Sequence, residues 1–372
     1  VRPLDATIGL DAFISEELNR PFDAPGTGAD GVFPFRPFVL DDPAGDSHFV
    51  GVVYQHWIAD SVSIRLLLRE WFVNRYDPRQ ARLRPVNLPR GGYWRFFGPH
   101  KAGWRLGEGF LSSVRWSSRF KRVRRIERQD AFSDFRVKFS LHAVPDGWID
   151  RLHAATRGAG TPRNNGISPR PTLNDLFLAA IAEACHRHVP VMLTPKRQDL
   201  ALGTIVDLRP HGPDDLSDTF GMFLGFTSVV CRPRDLEGDW PRLVRTIATQ
   251  SALHKQTGVP QASPVRMLAG LVAGRLLERD GTVTFYRKRV PLAGGISNVN
   301  LNRTWAADYH PDPLIDYMRV SPTGPMMPLV FTTTTLGKRF HFGLTRRASI
   351  INDDAANAIA SSFIERLTGL IG

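Results

Sequence analysis

The sequence predicts an α/β (α+β) fold in two subdomains, on three observations. Apolar runs with strand periodicity alternate with segments of helical periodicity along most of the chain. The 372 residues are 42% hydrophobic and 23% charged, enough to bury one large core or two ordinary ones. A passage rich in Pro, Gly and aromatic residues, from about Asp77 to Asp134, reads as a connection between the halves. An N-terminal subdomain with its basic linker is therefore expected at 1–130 and a C-terminal subdomain at 131–372.

Taken in order, the first half supplies strands near 32–40 and 47–56 and a helix at 61–76. Val50, Val52, Tyr54 and His56 share one face of the second strand, with Val53 and Gln55 on the other. Ile64, Leu67, Leu68, Trp71 and Phe72 then recur at helical spacing, with Asp60 or Ser61 available as the N-cap. The second half opens with a strand near 134–142, followed by helices near 146–157 and 172–188 and a strand near 200–206. A strongly apolar strand from Met222 to Cys231 leads to helices near 239–255 and 263–278. Strand candidates at 294–299, 315–320, 328–335 and 338–345 precede a closing helix at 353–370.

The turn Tyr54-Gln55-His56-Trp57-Ile58-Ala59-Asp60-Ser61 delivers an imidazole to the end of a strand just before a helix. In so tight a turn the His and Asp side chains point apart, so the carboxylate locks the turn while the ring faces a cavity. His56 is then the chemical group and Asp60 its scaffold. H-x-x-x-D alone is a common five-residue pattern, and a lone histidine is as readily structural.

Other patterns are excluded on context. Gly26-Thr27-Gly28-Ala29-Asp30-Gly31 fits G-x-G-x-x-G but is followed by a strand, whereas a dinucleotide site needs a helix there. His186 and His188 stand two apart on a helix and diverge, and no G-x-S-x-G nucleophile elbow occurs. Cys185 and Cys231 lie in apolar segments without metal-like spacing, which argues against a disulfide framework or a zinc site. No run approaches the ~20 apolar residues that span a bilayer, and a cytoplasmic monomer is expected.

Three further segments narrow the reading. Leu18-Asn19-Arg20-Pro21-Phe22-Asp23 lies upstream, Thr172-Leu173-Asn174-Asp175 opens a helix downstream, and Val206-Asp207-Leu208-Arg209-Pro210 precedes Thr219-Phe220-Gly221-Met222. In order and character the chain resembles the superfamily of CoA- and carrier-dependent acyltransferases: peptide-synthetase condensation domains, wax-ester synthases, polyketide-associated acyltransferases and the plant H-x-x-x-D acyltransferases. The resemblance covers most of the chain. It implies two chloramphenicol-acetyltransferase-like halves forming a V, with the active site in a tunnel at their interface. Relatives usually read H-H-x-x-x-D-G, so Gln55 replaces the first His and Ser61 the Gly. Ser61 adds a β-carbon and a hydroxyl where glycine permits close approach. Met222 stands where many relatives have Asn. Because relatives carry their histidine further into the chain, an N-terminal portion is expected to be missing here.

By that resemblance His56 is the catalytic base and Asp60 pairs with Arg209. A neutral imidazole takes the proton from an alcohol or amine as it attacks a thioester carbonyl, then returns one to the departing thiolate. Histidine suits this because it titrates near pH ~6.5. No metal and no bound cofactor is needed; an acyl-CoA or a phosphopantetheine thioester on a carrier protein is the co-substrate. The strand Gly294-Gly295-Ile296-Ser297-Asn298-Val299-Asn300 is the candidate opposite wall of the tunnel. There Ser297 or Asn298 donates to the developing oxyanion, or else Gly-Gly marks a bulge and Asn298 a turn contact.

The formal charge of +12 is concentrated in Arg115, Arg119, Lys121, Arg122, Arg124, Arg125 and Arg128. CoA phosphates, an acidic carrier protein or a solvated face without a partner all suit that stretch. Nucleic acid ranks last, since no recognised nucleic-acid-binding motif is present. The expected function is transfer of an acyl group other than an aminoacyl group to an alcohol or amine. The alternative is a non-catalytic scaffold or carrier-docking module.

Overall fold

The computed structural model describes residues 2–3, 9–22, 33–42, 47–76, 79, 102–126, 134–144, 147–158, 170–192, 194–211, 215–277, 289–302, 316–324 and 327–371. In chain order the elements are β1 (Arg2–Pro3), α1 (Gly9–Asn19), β2 (Phe35–Asp41), β3 (His48–Tyr54), α2 (Ser61–Tyr76) and α3 (Ala102–Ser117), which runs into a 3₁₀ turn at Ser118–Arg122. Next come β4 (Arg125–Ile126), β5 (Val137–Ala143), α4 (Trp148–Gly158), α5 (Leu173–His188), β6 (Val191–Met192), β7 (Leu200–Asp207) and β8 (Leu224–Cys231). The chain continues through α6 (Pro233–Leu236), α7 (Trp240–Gln256), α8 (Val259–Leu277), β9 (Gly294–Asn300), β10 (Leu329–Leu336), β11 (Arg339–Arg347) and α9 (Asp353–Thr368).

A six-stranded mixed sheet in the order β5-β11-β10-β9-β7-β8 forms the centre, with β9 parallel to both of its neighbours. Alternation along the strands divides its side chains between two apolar layers. Leu200, Leu202, Val229 and Cys231 point into the main core with α5, α7 and α9, while Ala201 and Val230 face Trp116 and Phe120 beneath α3. Such two-sided burial explains why β8 is strongly apolar, broken only by the buried Thr227 and Ser228. Residues 176–182 of helix α5 are apolar all round because they are buried on every side, and the Thr172/Asp175 capping box starts the helix. Separately, β1, β2 and β3 make a three-stranded sheet, and α1 joins it to the central sheet by packing Phe13 and Ile14 against Leu40 and Phe139. Cys185 and Cys231 are buried free thiols, and burial pushes Cys185 up to about 12.

Three expectations need correction. The connection between the halves is not linker throughout: residues 102–122 are helical and pack on α8. Its glycines read as loop, yet at Gly109 a Cβ would stand 2.4 Å from the Gly258 carbonyl oxygen, so glycine lets two helices meet. The basic stretch is likewise no uniform solvated face. Arg119 stacks over Trp116, and the buried Arg124 donates to the Gln198 carbonyl (2.6 Å) and to His186 Nδ1 (2.7 Å). Finally, residues 316–320 form no strand, because both edges of β10 are already taken by β9 and β11. The pattern at 26–31 and most of the aromatic passage lie outside the described residues.

One core group makes a testable statement about pH. His254 is buried edge-on against Trp116, and neither ring nitrogen has a hydrogen-bond partner. Burial, helped by Arg266 and Arg119, lowers it to about 4. The unfolded chain takes up this proton near pH ~6.5, whereas the folded protein resists until about 4. His254 therefore adds no pH dependence above that range and destabilises progressively as pH falls through it, by on the order of 3 kcal/mol. Chemical denaturation from pH 7 to 4 should show this slope, and His254→Leu should flatten it. An identical slope in the variant would remove His254 as its source.

Candidate active site

The strand β3 ends at Tyr54, and its continuation turns at once into α2. Gln55 N–H donates to the Pro34 carbonyl (3.0 Å) and Ile58 N–H to the Gln55 carbonyl (3.1 Å), which closes the turn. His56 is half-buried beside Tyr54, their rings 5.8 Å apart and edge-on. Its Nδ1 lies 3.2 Å from the Ala59 carbonyl oxygen. A carbonyl only accepts, so in the neutral ring this contact assigns the proton to Nδ1 and leaves Nε2 with the lone pair.

Asp60, not Ser61, caps α2: its Oδ1 accepts from the Ser63 backbone N–H at 2.9 Å. The side chain is fully buried and meets Arg209 in a two-armed pair, Nη1 to Oδ2 at 2.7 Å and Nη2 to Oδ1 at 3.0 Å. Phe223 N–H adds a donor to Oδ2 at 2.9 Å, so every lone pair facing the interior is occupied. Arg209 is also buried; it reaches Ser63 Oγ and the Thr219 carbonyl and lies over the Phe223 ring. Through Gly221, whose N–H donates to Ser63 Oγ and whose carbonyl accepts from Asp60 N–H, the same knot holds the Phe-Gly-Met loop against the turn. Segments far apart in sequence are thus tied at the carboxylate.

The remaining candidates fall in two groups. Arg319 Nη1 donates to Ser61 Oγ at 2.8 Å, and its Nη2 donates to the Ser297 carbonyl at 3.0 Å and Oγ at 3.2 Å. One guanidinium thereby spans from the residue after the motif aspartate to β9. Asn298, the next residue along, faces the opposite side of the sheet and accepts from Thr333 Oγ1 at 2.8 Å. Gln55 turns toward Trp57, whose indole N–H it accepts at 2.7 Å. The double glycine of β9 is no bulge, since Gly294 pairs with Leu202 and Gly295 with Gly203 in continuous register. The space a Cβ would take at Gly295 is filled by Met327, with Sδ 2.6 Å away.

No protein-family model matches the chain, and no curated protein matches it. Solved structures do. The condensation domain from the Monacolin K polyketide synthase MokA is 13% identical with a TM-score of 0.60, over 99% of this chain and 78% of that one. The X-domain from teicoplanin biosynthesis is 17% identical with a TM-score of 0.58, over 99% and 77%. The epimerization domain from the third module of tyrocidine synthetase B is 12% identical with a TM-score of 0.54, over 91% and 71%. The chain has the condensation-domain fold.

Within the condensation-domain fold of this chain, sequence reasoning singled out His56, Asp60, Ser61, Arg209 and Ser297, but missed the groups that connect them. Ser63 is one, legible in principle as a hydroxyl three residues after a capping aspartate. Arg319 is the other: an arginine inside the apolar run Tyr317-Met318-Arg319-Val320 is itself a signal, since a charge buried there needs a reason. Among the described residues, no group of three or more His, Cys, Asp or Glu is arranged to hold a metal ion, and no helix is long and apolar enough to cross a membrane.

Proposed function

We propose that the chain transfers an acyl group from a CoA or carrier-protein thioester to an amine or alcohol, with His56 as general base. The observation that carries this reading is the 3.2 Å contact between His56 Nδ1 and the Ala59 carbonyl: in the neutral ring it calls for the proton on Nδ1, so Nε2 is the basic nitrogen. As the acceptor N–H or O–H attacks the thioester carbonyl, its proton passes to Nε2. The carbon–sulfur bond then breaks, and the proton leaves with the thiolate. Asp60 and Arg209 act as scaffold, fixing the turn that aims the ring. The condensation-domain fold supports a carrier-associated role, and a condensation domain from the enacyloxin polyketide synthase, described as mediating chain release, is among the structural neighbours. The test is thiol release from acetyl-, butyryl- and palmitoyl-CoA and from an acyl carrier protein, each with amine and alcohol acceptors. Acceptor-dependent release with one donor class supports the reading, and none across all of them overturns it.

A second reading rests on Arg319. Its bond to Ser61 fills the position where relatives have a glycine, and a scaffold or docking module that has lost turnover would tolerate that. Carrier-protein binding without thiol release is the result that would select it.

A further inference from the structure

Arg319 is only 7% exposed, yet its three hydrogen bonds all go to neutral oxygens: Ser61 Oγ, Ser297 O and Ser297 Oγ. Its Nε is buried and has no acceptor. Among the described residues no carboxylate pairs with it, and the acids of the neighbourhood are engaged elsewhere: Asp60 and Asp207 with Arg209, Asp316 with His341. A second buried arginine, Arg65, adds like charge; its Nε donates to the Ser61 carbonyl at 3.3 Å. Burial first, and Arg65 next, lower Arg319 to about 10, with Tyr317 and Tyr54 acting in the opposite sense. A guanidinium desolvated beside another cation and given only neutral acceptors is costly, and an anion seated at its unsatisfied edge removes the cost.

We infer that Arg319 is a recognition residue for a carboxylate carried by a substrate, bound at the Nε edge between Ser61 and β9. The inference rests on the reading that the His56 turn is the reacting site. Tyr54 connects the two places, since it neighbours both the His56 ring and the Arg319 charge. A carboxylate on the acceptor or on the acyl group would account for Arg319 equally. Either way the chemistry is the same: Nε–H and the parallel Nη2–H face one carboxylate, which displaces one of the two Ser297 acceptors of Nη2.

The first test uses acetate as the probe and needs no turnover. The full chain is unfolded thermally across a sodium acetate series, with sodium chloride at equal ionic strength as reference. Acetate should stabilise saturably, and Arg319→Gln should weaken the response about tenfold or more. Equal responses in parent and variant, or none in the parent, overturn the inference. Should Arg319→Gln fail to fold, Ser61→Gly removes the neutral acceptor of Nη1 and leaves the charge, so acetate should bind more tightly; an unchanged response overturns the inference as well. Where turnover is found, 3-hydroxybutyrate is compared with 2-butanol as acceptor, and succinyl-CoA with butyryl-CoA as donor. A KM preference in one pair that collapses in Arg319→Gln assigns the carboxylate to that substrate, and no preference in either refutes the substrate role. Absence of turnover with every donor counts against acyl transfer alone, because the acetate response is read from unfolding.

Discussion

Asp60→Asn is expected to cost about 3–5 kcal/mol of folding stability, because it strands a buried guanidinium. The amide keeps the shape of the carboxylate and one acceptor for Ser63 N–H, so the helix cap partly survives. What goes is the charge opposite Arg209, together with the Oδ2 acceptor shared by its Nη1 arm and Phe223 N–H; the Nη2 arm keeps Oδ1. Arg209→Gln leaves the complementary fault, a fully buried carboxylate with two of its donors missing. Denaturant unfolding of both single variants and the double should give a loss for the double well below the sum, since the second change removes a charge already unpaired. Strict additivity would mean that the two groups do not act as a pair. Arg209→Lys is predicted to rescue little: one ammonium cannot reach Oδ1, Oδ2, Ser63 Oγ and the Thr219 carbonyl together.

How far the sequence spoke depended on whether the deciding contact was local. Helix α2 spans Ser61–Tyr76 as its apolar spacing requires, and β7 to β8 follow the runs that mark them, because periodicity and caps are short-range properties. The helix α1 carries Leu10, Phe13, Ile14 and Leu18 at helical spacing, a signal present in the chain but absent from the expectations above. In α3, glycine needed for contact with α8 reads as a breaker unless the partner helix is known. For α8, expected from 263, the helix begins at Val259: Pro260 fits its first turn, and Pro264, which lies inside the helix, has no N–H for the Pro260 carbonyl, which accepts from Ser263 Oγ instead. At the site, residue identities were legible but their wiring was not. Nothing near Ser61 or Ser297 in sequence announces that one arginine will bond both. Nor does composition say which of Ser297 and Asn298 faces it; that follows from the register of β9 on β10.

Replacing the motif histidine separates chemistry from scaffold. His56→Ala should reduce acyl transfer by about 10²–10⁴-fold while the fold persists, because the ring is half-buried and makes a single hydrogen bond, to the Ala59 carbonyl. The loss should fall on kcat and leave the donor KM nearly unchanged, as expected of a group that acts on a moving proton and not on a bound ground state. Loss of turnover in His56→Ala has a rival explanation, that the turn sags once Ala59 loses its donor. His56→Asn discriminates between the two. Its amide N–H2 can still donate to the Ala59 carbonyl, but it has no basic nitrogen. If the imidazole is the base, Asn is as inactive as Ala although its unfolding midpoint matches the parent. If the hydrogen bond alone matters, Asn restores turnover, and His56 is then a strut and the base must be sought elsewhere in the site.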